Sequence, residues 1–394
     1  MTPEPASTVT DLRCEPGEIS YAAAVGEHRG RIRFRSETAP MPRADAALAA
    51  ILMAAMTAGG RLSLGGAISP RLLRNQAEFQ AIQRAWSVQW PFDLPLHEVE
   101  VDAPAARQGE PGGRGRVAAF FSGGVDSWAA VLANPDVTDL IFARGLDLVP
   151  GWPQHDALGD EVEARLREAA AELGLPLHVV DTDVRAFSDR LLRWETYAPS
   201  VLAAIALLHQ PLFERVLIAT DLEHSRQIPL GAARMIDHLW STEGLEVVDW
   251  GGRFSRTERL ATIATHPLVQ RTLRVCWENR GGAYNCGRCG KCLLTMIPLE
   301  ALGLREQVLT FPELDLGALD GYTITTPLQV ALWEDVLEAT RRAGRRDLSE
   351  PVAAVVASRH RAVGGPEHEL REVLGSASWR LTAPLRRLGQ LRRR

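Results

Sequence analysis

Two stretches of this chain carry residue types and spacings with definite chemistry. The first is Phe120-Phe121-Ser122-Gly123-Gly124-Val125-Asp126-Ser127, set between a short apolar run and a helical pattern. Adjacent glycines let the backbone approach an anion and take up positive φ. Loop N–H groups and the start of the next helix would then point at a phosphate, helped by the helix dipole. Ser122 and Ser127 add hydroxyl donors. Asp126 puts a carboxylate where an anion should sit, which is costly unless a divalent cation bridges the two. The stretch reads as a pyrophosphate site with Mg2+ beside it. It lacks the Gly-Lys-Ser/Thr ending of a Walker A loop. The second stretch is Cys276-x9-Cys286-x2-Cys289-x2-Cys292, with Gly287 and Gly290 directly after cysteines. Four thiolates on so short a span can close a tetrahedral Zn2+ site of structural type, with no open position for a substrate. An iron–sulfur cluster or redox thiols are the other chemistries open to such a set. Cys14 stands far from the group.

These residues need elements to hold them. Residues 117–121 form a strand-type apolar run, 127–132 a helix and 140–143 a strand. Leu158, Val162, Leu166, Ala169 and Leu173 recur at helical spacing. Strands follow at 177–180, 216–219 and 245–248, with a helix at 200–209 between the first two. Such alternation predicts an α/β fold with a doubly wound, mainly parallel sheet covered on both faces. Ligands of these sheets bind beyond the carboxyl ends of the strands. Before this segment, residues 1–106 read as a small α+β region with no chemical signature. It has two strands in 19–35 around a Gly26–Gly30 turn, and helices at 44–56 and 70–86. The Gly/Arg-rich residues 107–116 read as a linker. The loop and the cysteines fall in a domain of residues 117–300, followed by a helical region, 301–377, with helices at 328–341 and 348–360. A basic tail, 378–394, ends the chain.

The stretch Ser122–Ser127 resembles the SGGxDS motif of the PP-loop ATP pyrophosphatases, the adenine nucleotide α-hydrolase-like superfamily. Together with the cysteine pattern of 276–292, it is similar to the 7-cyano-7-deazaguanine synthases within that superfamily. The resemblance covers roughly residues 116–300. It implies a PP-loop fold carrying ATP, Mg2+ and a Zn2+ on the four cysteines. It also implies cleavage of ATP to AMP and pyrophosphate, adenylation of a carboxylate or carbonyl oxygen, and displacement of AMP by nitrogen. On this reading Ser122, Gly123, Gly124, Asp126 and Ser127 hold the phosphates, and Phe142 and Ala143 offer backbone groups near adenine. Arg256 matches a basic residue that faces the phosphates in the family and would stabilise the transition state. Arg274 is a second candidate for that role. The substrate half departs from the family. Arg144-Gly145-Leu146-Asp147, Tyr197-Ala198-Pro199-Ser200 and Asp221-Leu222-Glu223-His224-Ser225-Arg226 stand where other segments are expected. The acceptor is therefore a different small-molecule carboxylate or carbonyl compound. A start at Met-Thr gives the expectation that no N-terminal-cysteine glutaminase is present, so nitrogen comes from ammonia, a separate glutaminase or an amine. Two other readings stay open: a PP-loop sulfur transferase, and a non-catalytic ATP-binding subunit of a defence or envelope-assembly complex.

Asp147, Asp181, Asp183, Asp221, Glu223, His224 and Arg226 should lie near the crevice because they follow strands. Composition sets the outer limits. The chain has 394 residues, 46% hydrophobic and 24% charged, which excludes a disordered, collagen-like or membrane-embedded chain. A net charge of −5 speaks against a broad nucleic-acid footprint. Clustered cysteines without an apolar leader in the first twenty residues point to a cytoplasmic metalloprotein. A weak membrane or partner contact through the basic tail and a homodimer stay open.

Overall fold

The computed structural model describes residues 6–362 apart from 39, 42, 90–94, 107–111, 150, 152 and 229–231. The basic tail and part of the expected linker lie outside the described residues. The chain forms two compact units, Met1–Leu314 and Asp315–Arg394.

The first unit is built on ten strands: β1 (Ser7–Glu15), β2 (Glu18–Val25), β3 (His28–Ser36), β4 (Gly60–Leu64), β5 (Val99–Asp102), β6 (Val117–Phe120), β7 (Asp139–Arg144), β8 (Leu177–Thr182), β9 (Arg215–Ala219) and β10 (Glu246–Trp250). They make one sheet in the order β10-β9-β6-β7-β8-β3-β2-β1-β4-β5. The five strands from β10 to β8 are mutually parallel. Their short apolar runs are buried because both faces are covered: Ala118, Phe120, Ile141, Val180, Val216 and Ile218 pack into one core, and Val117, Ala119, Leu140, Phe142, Val179 and Leu217 into the other. This is the period-two alternation of a strand. Helices of the unit are α1 (Ala44–Ala58), α2 (Pro70–Gln89), α3 (Val125–Ala133), α4 (Pro153–Leu173), α5 (Val184–Ser188), α6 (Trp194–Leu208), α7 (Arg234–Asp237), α8 (Arg256–Ile263), α9 (Pro267–Thr272) and α10 (Gly290–Ala301). The architecture is thus α/β on a mostly parallel sheet.

The first hundred residues do not make a sheet of their own. β3 pairs antiparallel with β8, Phe34 opposite Thr182 and Ser36 opposite Val180, so β1–β5 extend the parallel sheet. Arg33 fixes this seam: its amide and guanidinium both donate to Asp183, at 2.8 and 2.7 Å. Residues 112–116 of the expected linker are tied to the turn before β9. Gly113 N–H donates to Gln210 O at 3.1 Å, and Glu214 N–H to Arg116 O at 3.0 Å. Helix α6 starts at Trp194, upstream of the expected residue 200, with Pro199 inside it. The missing proline N–H costs one helical rung, and burial of Val201 and of Ala203 through Leu208 outweighs it.

The second unit contains α11 (Pro327–Arg342) and α12 (Arg346–Ala362), which pack together. Thr326 starts α11 with a capping box to Gln329, and Pro327 takes its first position. Among the described residues no helix is long and apolar enough to cross a membrane.

Candidate functional site

Strand order in the parallel half runs β8-β7-β6-β9-β10, so the chain reverses direction of growth between β6 and β9. Carboxyl ends of strands diverge at such a switch and leave a crevice. The loop after β6 and the end of β9 meet there. Gly123 has φ +74, and a Cβ on it would meet Leu166 Cδ2 at 2.9 Å, so the turn admits only glycine without rearrangement. Arg274 N–H donates to Gly123 O at 2.9 Å and pins the loop from the side. Gly124 is the N-cap of α3 and offers no side chain to the helix end, which leaves its first amides for an external acceptor. Ser127 Oγ donates to Gly124 O at 3.0 Å and lies 3.5 Å from Ser122 Oγ.

Asp126, in the first turn of α3, is held between two arginines of α8. Its Oδ1 is 2.9 Å from Arg259 Nη1, and its Oδ2 is 3.7 Å from Arg256 Nε. Ser255 begins α8 with a capping box to Glu258, which sets the helix so that both arginines face α3. Arg256 also donates to Thr295 Oγ1 at 3.2 Å and Leu294 O at 3.4 Å, both on α10. Arg259 is 1% exposed. It donates to the carbonyls of Thr220 and, at 3.1 Å, Asp221, just past β9. Arg259 therefore ties the β6 loop to the end of β9 across the switch point. Sequence reasoning stops at Arg256 and misses it. The available signal is the spacing of three, which puts both arginines on one helix face.

The other expected residues divide. Phe121 N–H donates to Ile141 O at 2.8 Å, and the β6–β7 register ends at Phe120 opposite Ile141. Strand alternation then turns the Ala143 backbone to the side that β6 has left, and the Phe142 backbone to β8. Phe142's side chain is buried in the core. Asp221 is at the crevice, half-buried, and its carboxyl is pushed up by burial, with Lys291 opposing and Asp126 adding to the shift. Asp183 belongs to the seam and is taken by Arg33, while Asp181 lies 3.3 Å from Nε of Arg144 at the end of β7. Asp147 is exposed. Glu223 is engaged with Arg226 and Ser225, each at 2.9 Å. His224 N–H donates to Gly252 O at 2.6 Å. Buried Arg274 donates to Asn279 Oδ1 at 2.8 Å. Behind the crevice Asp237 and Asp249 are buried. Both carboxyls are raised by desolvation, and the charge of Asp249 pushes Asp237 further.

The four clustered cysteines converge. Their sulfurs all lie within 4.8 Å of one another, close enough to bind a metal ion and compatible with zinc. Cys276 Sγ and Cys289 Sγ are 3.8 Å apart, and ~3.8 Å is the sulfur–sulfur edge expected of a tetrahedron with Zn–S near 2.3 Å. Cys276, Cys289 and Cys292 are buried and Cys286 is half-buried. Hydrogen bonds from Cys289 and Cys292 hold the Cys276 thiol far down. The same closeness, with burial, pushes the Cys289 and Cys292 thiols up. Thiols packed so tightly deprotonate together only around a cation. Local sequence supplies the geometry. Gly287 has φ +71, and a Cβ there would meet Pro312 Cγ at 2.4 Å. Amides of Asn279 and Cys289 donate to the sulfurs of Cys276 and Cys286, each at 3.3 Å. Asn285 Oδ1 accepts from the amides of Val275 and Cys276, while its Nδ2 donates to Leu273 O and Thr310 O.

Comparison with protein-family models, curated proteins and solved structures finds no match for this chain.

Proposed function

We propose that this chain is an AMP-forming, ATP-dependent ligase of PP-loop type. It adenylates a carboxylate or carbonyl oxygen on a small molecule and replaces that oxygen with nitrogen, in a cytoplasmic setting. One observation carries the reading: the Ser122–Ser127 loop sits at the switch point of a parallel sheet, with its carboxylate flanked by Arg256 and Arg259. The amides at the start of α3 and the two serine hydroxyls would hold the phosphates. Bound Mg2+ would sit at Asp126 and offset the charge of the phosphate chain. An acceptor oxygen attacks the α-phosphorus, the α–β bridging bond breaks and pyrophosphate leaves. Ammonia or an amine then attacks the activated carbon, and the C–O bond to AMP breaks as nitrogen loses its proton. Arg256 faces the charge that builds up during the first step. The four cysteines would hold Zn2+ as a structural ion with all positions filled.

A sulfur-transfer reading has no thiol left over in the cluster, since all four sulfurs share one neighbourhood. The fifth cysteine, Cys14, is exposed in β1. The test is release of AMP and pyrophosphate from ATP with Mg2+, ammonium and a small-metabolite extract, beside Arg256→Met. AMP that requires the extract and falls by 100-fold or more in the variant supports the ligase. ATP binding without AMP formation under any condition replaces it with the non-catalytic reading.

A further inference from the structure

Lys291 lies in the first turn of α10, between two of the clustered cysteines. A cation there faces the positive end of the helix dipole, an unfavourable placement for an exposed lysine. Helix periodicity shows where it stands. Thr295, one turn on, donates its hydroxyl to Lys291 O at 2.8 Å, and the same hydroxyl accepts from Arg256 Nη2 at 3.2 Å. Positions four apart share a face, so Lys291 is on the side of α10 that meets Arg256 and, through it, Asp126. From there its charge reaches Asp221 at the end of β9. Charge counting shows why the crevice needs it. Arg256 and Arg259 bring two positive charges, and Asp126 and Asp221 bring two acidic groups. Those four cancel when both acids are ionised, so a surplus of positive charge for a polyphosphate has to come from Mg2+ and from a further side chain.

We propose that Lys291 is a phosphate-binding residue. It completes an arc of Arg256, Arg259 and Lys291 around the loop and takes the pyrophosphate portion of ATP. The cysteine cluster is the mount that holds this lysine in place. This rests on the ATP reading above. It predicts a specific pattern, because the charge Lys291 meets is in pyrophosphate and the triphosphate tail and is small in AMP.

The experiment is calorimetric titration of the metal-loaded full chain with Mg2+–pyrophosphate, the α,β-methylene analogue of ATP, and AMP. Wild type, Lys291→Met and Lys291→Arg are compared, with metal content and melting temperature measured on each. Lys291→Met is expected to weaken pyrophosphate and the analogue by about 10- to 100-fold, the value of a charge-assisted contact. AMP affinity should stay within about twofold, and Lys291→Arg should recover most of the loss. Unchanged pyrophosphate affinity in Lys291→Met overturns the assignment of Lys291 and leaves the ligase reading standing. Equal loss for all three ligands, or loss of metal, also overturns it by making the residue structural. A wild-type chain that binds none of the three overturns the ATP reading and this inference together.

Discussion

Arg259→Met removes a guanidinium that joins the β6 loop to the end of β9. Arg259 is buried and pairs with Asp126 at 2.9 Å, while Asp126's side chain is 24% exposed. Breaking a buried pair from one side costs about 3–5 kcal/mol, because the remaining charge loses its partner. Partial exposure of Asp126 lets water reach that charge and places the expected loss near ~3 kcal/mol. Part of it belongs to the carbonyls of Thr220 and Asp221, which lose their donor. Asp126→Asn keeps the side-chain shape and leaves Arg259 buried with carbonyl partners only, at a cost of about 1–3 kcal/mol. Since each variant removes the same contact, the double variant should be more stable than the sum of the two losses by ~1–3 kcal/mol. Urea unfolding of the four proteins followed by circular dichroism measures this. Additivity within about 0.5 kcal/mol would refute the reasoning and reduce the pair to a neighbourhood of charges without coupling. A coupled result also means that loss of activity in an Asp126 variant has to be read beside its stability.

Asn285→Ala removes four hydrogen bonds that tie Cys276 to residues 273 and 310. A destabilisation of about 3 kcal/mol is expected, together with faster loss of metal to a chelator at unchanged cysteine content. Asp237→Asn should change the pH dependence of stability. The folded carboxyl is raised by burial and by Asp249, so the folded state holds its proton more tightly than the unfolded chain. Stability then falls as pH rises from the ordinary carboxylate value through the folded one. The asparagine variant should lose that slope and be the more stable protein at neutral pH, as thermal melts across pH 4–8 would record.

The parallel half of the sheet is legible because its strands are short apolar runs buried on both faces, separated by helices with clear periodicity. The β6 loop and the cysteines announce themselves by spacing. What is hidden depends on contacts remote in sequence. β1 shows exposed residues along most of its length and pairs with β2 and β4 through register alone. β4 and β5 are five and four residues long, too short for a pattern. Asp181 and Asp183 look like crevice acids because of their place at the end of a strand; the pairing of β3 with β8 brings Arg33 to Asp183, and the pairing of β7 with β8 brings Arg144 to Asp181. Arg259 escapes notice because it meets Asp126 only when α8 is laid against α3.

The seam between β3 and β8 also sets an order of events during synthesis. Arg33 and Asp183 are 150 residues apart, and at about 5–20 residues per second the hairpin of β2 and β3 waits roughly 8–30 s for its partner strand. An unpaired strand edge left open that long invites pairing with other nascent chains. β3 is written against that hazard: Arg29, Arg31, Arg33 and Arg35 alternate along it, so that stacking two such edges would oppose like charges. In the finished chain Arg31 and Arg35 pair with Asp11 and Glu18 of β1 and β2, and Arg33 with Asp183 beyond β8. Of the residues that guard the strand while it waits, Arg33 thus becomes the ion pair that holds it once β8 arrives.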